Sequence, residues 1–444
     1  MVDLREEHRL QLDDLAKGLK GNTQRIHLKK KTVSNLFRYQ GREKRDEKAL
    51  DLSNFDRPLF LDIKNQTLEI QGLATYESAV DFLLPYGFLP EITPGLKHIT
   101  VAGAIAGVAI ESNCARYGFA HDGLIEADVI LPDGRIVTCN AKNKHKDLFH
   151  ALPNSYGTLG YILRAKIKLR PAKPYVLLET TSQPNIKTLL RVMKATAEDG
   201  GIDYVESLAY SKNRLFLTAG RQIDSALQKP LSIYGKTVFY KEISKPGAIV
   251  LTTKEYLFRY DPEWFWALPA SKWLGVFRRV APQTIRNSGF YTHFMFSNLG
   301  KVLKLAPKPD FELLIQDWEV PWNEAEALFN YGLEAIDLAG APWLSGPIKS
   351  PGTATLYPVT KGKLYLNLGC YASARKKASN EPFMNTKLMD DFCIKHSGIK
   401  MLYSSSFMNR QTFDHLYDGA AYKKLKQKYD SRGLAPTVFE KAVR

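Results

Sequence analysis

Apolar residues Leu10, Leu12, Leu15 and Leu19 recur at helical spacing, which predicts an amphipathic helix over residues 4–19, closed by Gly18-Leu19-Lys20-Gly21. Residues 25–29 read as a strand. Residues 59–63 and 68–71 read as two more, joined by the polar turn 64–67. Thr75 is placed to cap a helix reaching Leu84, which Gly87 ends. Further on, residues 125–131 and 135–139 flank Asp133-Gly134, a two-residue hairpin signal. Residues 147–152 fit a short helix and 157–160 a turn. Residues 161–169 then alternate: Tyr161, Leu163, Ala165, Ile167 and Leu169 are expected to face a core, and Arg164, Lys166 and Lys168 to face out. Short strands and helices in mixed order predict an α+β fold, with no internal repeat.

One stretch departs from these amphipathic patterns. After Pro94-Gly95, the ten residues from Thr100 to Ala109 include nothing larger than isoleucine. Thr100 is placed as a helix N-cap, and Gly103 and Gly107 leave the backbone uncovered. Such a helix start can offer N–H groups to a phosphate. A small-residue helix packed closely on a neighbour explains the same pattern.

Composition narrows the class. The 444 residues exceed one compact core, and 44% hydrophobic with 24% charged residues is a globular balance. Cys114, Cys139, Cys370 and Cys393 are scattered, with no CxxC and no Cys/His cluster at metal-ligand spacing, so free thiols and no metal are expected. The charged N-terminus lacks the apolar core of a signal peptide. The weakly polar run 99–110 is too short to span a bilayer, which takes roughly 20 residues. A cytoplasmic protein is expected. Its net charge of +16 fits peripheral attachment to an anionic membrane surface, or plain solvation with an anionic cofactor. Nucleic acid is disfavoured, because no zinc finger, RNP-like signature or basic heptad helix accompanies the charge. Oligomeric state is not legible.

Ordered motifs carry a resemblance. "KKTVSNLFRY" near the start, "PGLKHITVAGAIAGVAIESNCARYG", "ILPDGRIV" and "KDLFHALPNSYGTLGYILRAKIKL" resemble the PCMH-type FAD-binding domain of the vanillyl-alcohol oxidase/p-cresol methylhydroxylase superfamily. With "KEYLFRYDPEWFW", "QDWEVP" and "LYSSSF…YKKLKQKYDSRGLAP", the chain is most similar to the branch of sterol Δ24-reductases and bacterial methylene-fatty-acyl reductases. The resemblance implies an FAD-binding domain over residues 1–175, an inserted α+β substrate or cap domain over 176–400, and a segment 401–444 returning to the first. It also implies that the FAD pyrophosphate lies between two loops. Lys31, Ser34 and Asn35 belong to the first; Pro94, Gly95, Thr100, Gly103, Ala104 and Gly107 belong to the second. Ile110, Glu111, Ser112 and Gly118 would run beside the isoalloxazine, and Gly157, Gly160 and Ile162 would meet the cofactor through backbone. In this chain the N-terminal strand is short, and lysines with Ser34-Asn35 replace the glycine-rich first loop.

No histidine occurs in residues 29–38, where many relatives attach the flavin, so FAD is expected to be noncovalent; neither Cys114 nor His121 sits in a known linkage pattern. All six tryptophans fall between Trp264 and Trp343, which suits core packing or an extended apolar substrate, with Arg259, Arg278, Arg279 and Arg286 available to an anionic headgroup. By resemblance Tyr403 approaches the flavin. Tyr403 and Gln316 are the candidate catalytic groups; a structural hydroxyl and a buried amide are the alternatives. Ser406 stands where the decaprenylphosphoryl-ribose oxidases have a catalytic lysine, which argues against sugar-alcohol oxidation.

No G-x-G-x-x-G follows a strand, so NAD(P)H, the expected donor, would have to visit the flavin cleft. The expected activity is reduction of a lipid C=C, in a sterol side chain or an unsaturated fatty acyl chain, by hydride from reduced flavin. The alternatives are an FAD-linked oxidase or dehydrogenase of an alcohol, and a basic membrane- or nucleic-acid-binding protein with a vestigial flavin fold.

Overall fold

The computed structural model describes residues 3–19, 21–32, 47–235, 238–263, 281–282, 284–290, 310–377 and 381–443. Ser34, Asn35, Arg278 and Arg279 lie outside them.

The first half of the chain builds an antiparallel sheet. Its strands run in the order Pro58–Asp62, Thr67–Gln71, Tyr161–Pro171, Leu124–Ile130, Ile136–Asn140, with Phe88–Pro90 also pairing with Tyr161–Pro171. Thr75 caps the helix Tyr76–Leu83 by accepting from the Ser78 N–H, and Gly87 stops the following turn in the left-handed region. The hairpin forms, but not with the two-residue turn expected: Leu131 pairs with Arg135, so Pro132, Asp133 and Gly134 make the loop, and of Asp133 and Gly134 only Gly134 is left-handed, at φ 89°. The strand Ile26–Lys29 is four residues long and pairs in parallel with Lys48–Asp51, a partner the hydrophobic pattern does not reveal.

Alternation in the long strand Tyr161–Pro171 misplaces one side chain. Arg164 is not turned to solvent: it is 9% exposed and held by Asp128, Glu126 and Glu69 at 2.5, 2.8 and 3.0 Å. These carboxylates sit on the two neighbouring strands, so a row of opposite charges across the sheet satisfies the buried cation.

The second sheet has eight strands: Gly247–Thr252, Tyr175–Gln183, Arg214–Ile223, Tyr204–Ser211, Trp343–Lys349, Leu364–Arg375, Phe311–Pro321 and Ile399–Lys400, all neighbours antiparallel. Period-two alternation gives it two faces. Leu314, Trp318, Val320, Leu366, Leu368 and Cys370 enter a core with the helices Ile186–Glu198, Ala325–Ala335 and Met384–Lys395. Asp317, Asn367, Gly369 and Tyr371, at the intervening positions, look the other way. Phe413, Tyr417, Tyr422 and Tyr429 of the C-terminal helices pack into the core of the first sheet. The fold is α+β.

Candidate active site

Between the two sheets lies a cavity of about 1110 Å³. That is at the upper edge of ordinary small-molecule pockets, roughly 300–1,000 Å³, and leaves room for a large cofactor and a substrate together.

One wall is the small-residue helix Val101–Gly107, which presents Ala102, Gly103, Ala106 and Gly107. Its capping is as the sequence predicts: the Thr100 hydroxyl accepts from the Gly103 N–H at 3.2 Å. The expected use of that helix start as a phosphate nest is not what the structure shows. The Val101 N–H donates to Ala74 O, Ala102 to Gly72 O, Gly103 to Thr100 Oγ1 and Ala104 to Thr100 O. Every donor of the first turn is spent inside the protein, so the helix is a smooth wall packed on the strand before it. Backbone donors for a phosphate at this end have to come from the preceding loop, where Gly95, Leu96 and His98 line the cavity; Pro94 has no N–H, and the Ile99 N–H donates to Leu96 O.

The opposite wall is the turn before the long strand. Asn154, Tyr156 and Gly157 have φ of 61°, 50° and 74°, and Gly160 has 146°. Non-glycine residues in the left-handed region cost about 1–3 kcal/mol each, and such strain collects at ligand sites. A Cβ on Gly160 would stand 2.7 Å from Ile130 O, so only glycine fits this approach of turn to sheet. Ser155, Tyr156, Gly157, Gly160, Tyr161 and Ile162 all face the cavity.

The two ends differ in charge. At one, His27, Lys30, Lys31 and Lys441 line the cavity with a single acid among the described residues, Glu47, 4.0 Å from His27. Lys31 is paired with Asp56 at 2.5 Å, and the Lys441 ammonium is bonded to Tyr156 O at 2.5 Å. Lys30 is half-buried, and desolvation pushes its ammonium down to about 8. At the other end the charges are acidic or matched. Arg259, 2% exposed, bridges Glu206 at 3.0 Å and Glu111 at 3.1 Å, and the Tyr260 hydroxyl donates to Glu206 at 2.6 Å. Burial raises the Glu111 carboxyl, opposed by the Arg259 guanidinium. Arg259 is therefore committed to two carboxylates, not to a headgroup; Arg286 donates to Tyr234 O and Gly235 O.

Beside this network, Asp317 accepts from Tyr403 at 2.5 Å, from Tyr371 at 3.2 Å and from Asn367 at 2.9 Å. Burial raises the Asp317 carboxyl, and burial with the neighbouring Asp317 raises the Tyr403 phenol well above its ordinary value.

The sequence-predicted site residues thus fall in two groups. Lys31, Pro94, Gly95, Thr100, Gly103, Ala104, Gly107, Ile110, Glu111, Ser112, Gly157, Gly160, Ile162 and Tyr403 line the one cavity. Gly118 and Gln316 do not. Gly118, at φ 74°, turns against Asp122, and its role is local. Gln316 donates to Asp317 O and Met401 O, and its carbonyl accepts from Ser404. Its position has the parity of Leu314 and Trp318, which face the helices, so the neighbouring Asp317 reaches the cavity in its place. Cys114 and His121 are buried elsewhere, whereas His27 and His98, not singled out from sequence, line the cavity.

These walls fit FAD. Small residues leave a slot for a flat ring system, a basic end suits a diphosphate, and a polar end with two phenols and a carboxyl suits the reacting ring.

Residues 32–140 match the family described as FAD binding domain. Over 423 residues the chain is 26% identical to Delta(24)-sterol reductase of Homo sapiens, covering 90% of this chain and 78% of the relative. Over 451 residues it is 24% identical to Delta(24)-sterol reductase of Pisum sativum, covering 88% and 76%. A shorter match, 33% over 127 residues, is to Cytokinin dehydrogenase 6 of Oryza sativa subsp. japonica, covering 28% of this chain and 24% of that one. The chain carries a PCMH-type FAD binding domain and is similar, along most of its length, to Delta(24)-sterol reductases.

Proposed function

We propose that the protein is an FAD-dependent oxidoreductase that reduces a carbon–carbon double bond of an uncharged lipid, a sterol with an unsaturated side chain before an unsaturated fatty acyl chain. One observation carries the reading: a single cavity joins the small-residue FAD wall to the Asp317–Tyr403 cluster on the substrate sheet. The relatives named as Delta(24)-sterol reductases support it. The charge pattern supports a neutral substrate, because Arg259 is already matched by Glu206 and Glu111. A lipid carboxylate or phosphate at this end would meet two carboxylates that share a single cation.

Bound flavin supplies hydride transfer, with a nicotinamide donor as its reductant. The protein's own residues do the rest. Ala102, Gly103, Ala106 and Gly107 shape the slot; Leu344, Ile348 and Met401 offer apolar contact; Tyr403, whose hydroxyl donates to Asp317, lines the cavity as the proton donor. Lys30 meets the diphosphate. Cys114 and His121 do not line the cavity whereas His27 and His98 do, and the noncovalent cofactor rests on the absence of a histidine from residues 29–38.

The test is anaerobic. Protein loaded with FAD is reduced by NADPH and mixed with a side-chain-unsaturated sterol or an unsaturated fatty acyl thioester; the oxidised protein is mixed separately with a saturated alcohol. Reoxidation by the sterol with formation of the saturated product is expected. Flavin reduction by the alcohol, with no reoxidation by either alkene, would establish the oxidative reading instead.

A further inference from the structure

Asp317 is built into its place. A Cβ on Gly369, its partner on the next strand, would lie 1.9 Å from Asp317 Oδ1, so only glycine leaves room for the carboxyl. Asn367 and Tyr371 reach it from that same strand, and Tyr403 from the C-terminal segment. The side chain is 3% exposed and lines the cavity. The titratable groups acting on it and on its two phenols are themselves acids or thiols: Cys370 behind, Glu319 on its own strand and Glu111 beyond Tyr371. No cation compensates it among the described residues. The three donors favour the charged form, but burial without a cation is the larger effect and raises the Asp317 carboxyl towards the neutral acid.

The protonation of Asp317 decides what Tyr403 can do. Against an ionised carboxylate, the Tyr403 O–H is held by Asp317 and stays there. Against the neutral acid, the Asp317 O–H donates to the Tyr403 oxygen, and the phenol's own proton turns to the cavity. We propose that Asp317 is the proton reservoir behind Tyr403, a positioning residue for the double-bond reduction set out above, on which this inference rests.

The step balances. The C=C π bond breaks; one carbon takes a hydride from reduced flavin and the other takes the Tyr403 proton. As the Tyr403 O–H breaks, the Asp317 proton passes to the phenol oxygen. Asp317 recovers its proton from water, and the oxidised flavin is reduced again by a nicotinamide donor.

Two measurements on the FAD-loaded protein test this. The first needs no substrate: infrared difference spectra of wild type minus Asp317→Asn at pH 7. A protonated-carboxyl band present in wild type and lost in the variant is expected; its absence in wild type overturns the proposal. The second is reoxidation of the reduced protein by a side-chain-unsaturated sterol across pH. Wild type should slow as pH rises and the acid ionises. Asp317→Asn should keep its FAD and its rate of reduction by NADPH, yet lose about 10²-fold in reoxidation and lose the pH dependence. Asp317→Glu, which retains the acid if the amide variant misfolds, should restore both. An Asp317→Asn protein with the wild-type profile overturns the proposal. If the infrared band is present but no sterol reoxidises the wild type, the proposed reaction fails rather than the protonation of Asp317.

Discussion

At the smallest scale the proposed chemistry rests on Tyr403. Its hydroxyl lies 2.5 Å from Asp317, and general acid help of the proposed kind contributes roughly 10²–10⁴-fold. Tyr403→Phe keeps the ring and its packing, so FAD content should be unchanged while sterol-dependent reoxidation falls by about 10² or more. Lys30 makes a second residue-level prediction, with a definite sign. Its ammonium lies at about 8 in the cavity, and a diphosphate binds only the charged form. FAD affinity should therefore be full below about pH 8 and weaken above it, by up to about tenfold per pH unit, as binding must first recharge the lysine. Lys30→Met should bind more weakly at pH 7 and lose that slope in a fluorescence titration; an unchanged slope would place the diphosphate elsewhere. Tyr403 and the glycine-bearing loops were legible from sequence because motif order marks them. Asp317 was not, although the alternation Leu314, Gln316, Trp318 in a buried strand already assigns Gln316 to the helix-covered face and Asp317 to the other.

At the scale of elements, the sequence is most reliable where local chemistry decides. The caps at Thr75 and Thr100 and the stop at Gly87 form as predicted, since each depends on a few neighbouring atoms, and the hairpin forms with a loop one residue longer than expected. What the sequence does not show is who takes an element's spare hydrogen bonds. The small-residue helix has the composition of a phosphate nest, but Gly72 and Ala74 on the preceding segment accept its leading N–H groups. Arg164 reads as solvent-facing until two neighbouring strands bring three carboxylates to it. Thr100→Ala should cost about 1 kcal/mol in a denaturant melt, the ordinary value of a lost N-cap. Gly160→Ala should cost about 1–3 kcal/mol, because φ of 146° and the approach to Ile130 O both oppose a side chain. A neutral Gly160→Ala would mean that the turn relaxes freely and does not hold the cavity wall.

Across the whole molecule, charge and cavity separate two roles. The excess of +16 resides on a protein whose internal site is acidic at its substrate end. No helix among the described residues is long and apolar enough to cross a membrane. If the basic exterior meets anionic lipid, binding to acidic vesicles should weaken steeply between low and physiological salt, where screening shortens to about 8 Å. Equal binding to neutral vesicles would contradict an electrostatic origin. One cavity is proposed to hold FAD noncovalently and a neutral lipid against Asp317 and Tyr403. A crystal structure of the FAD-loaded protein with a side-chain-unsaturated sterol tests this. A diphosphate near Lys30, no covalent bond from the flavin to His27 or His98, and the sterol double bond beside the Tyr403 hydroxyl are expected. A flavin whose ring lies at the lysine end, or a sterol bound outside the cavity, would contradict it.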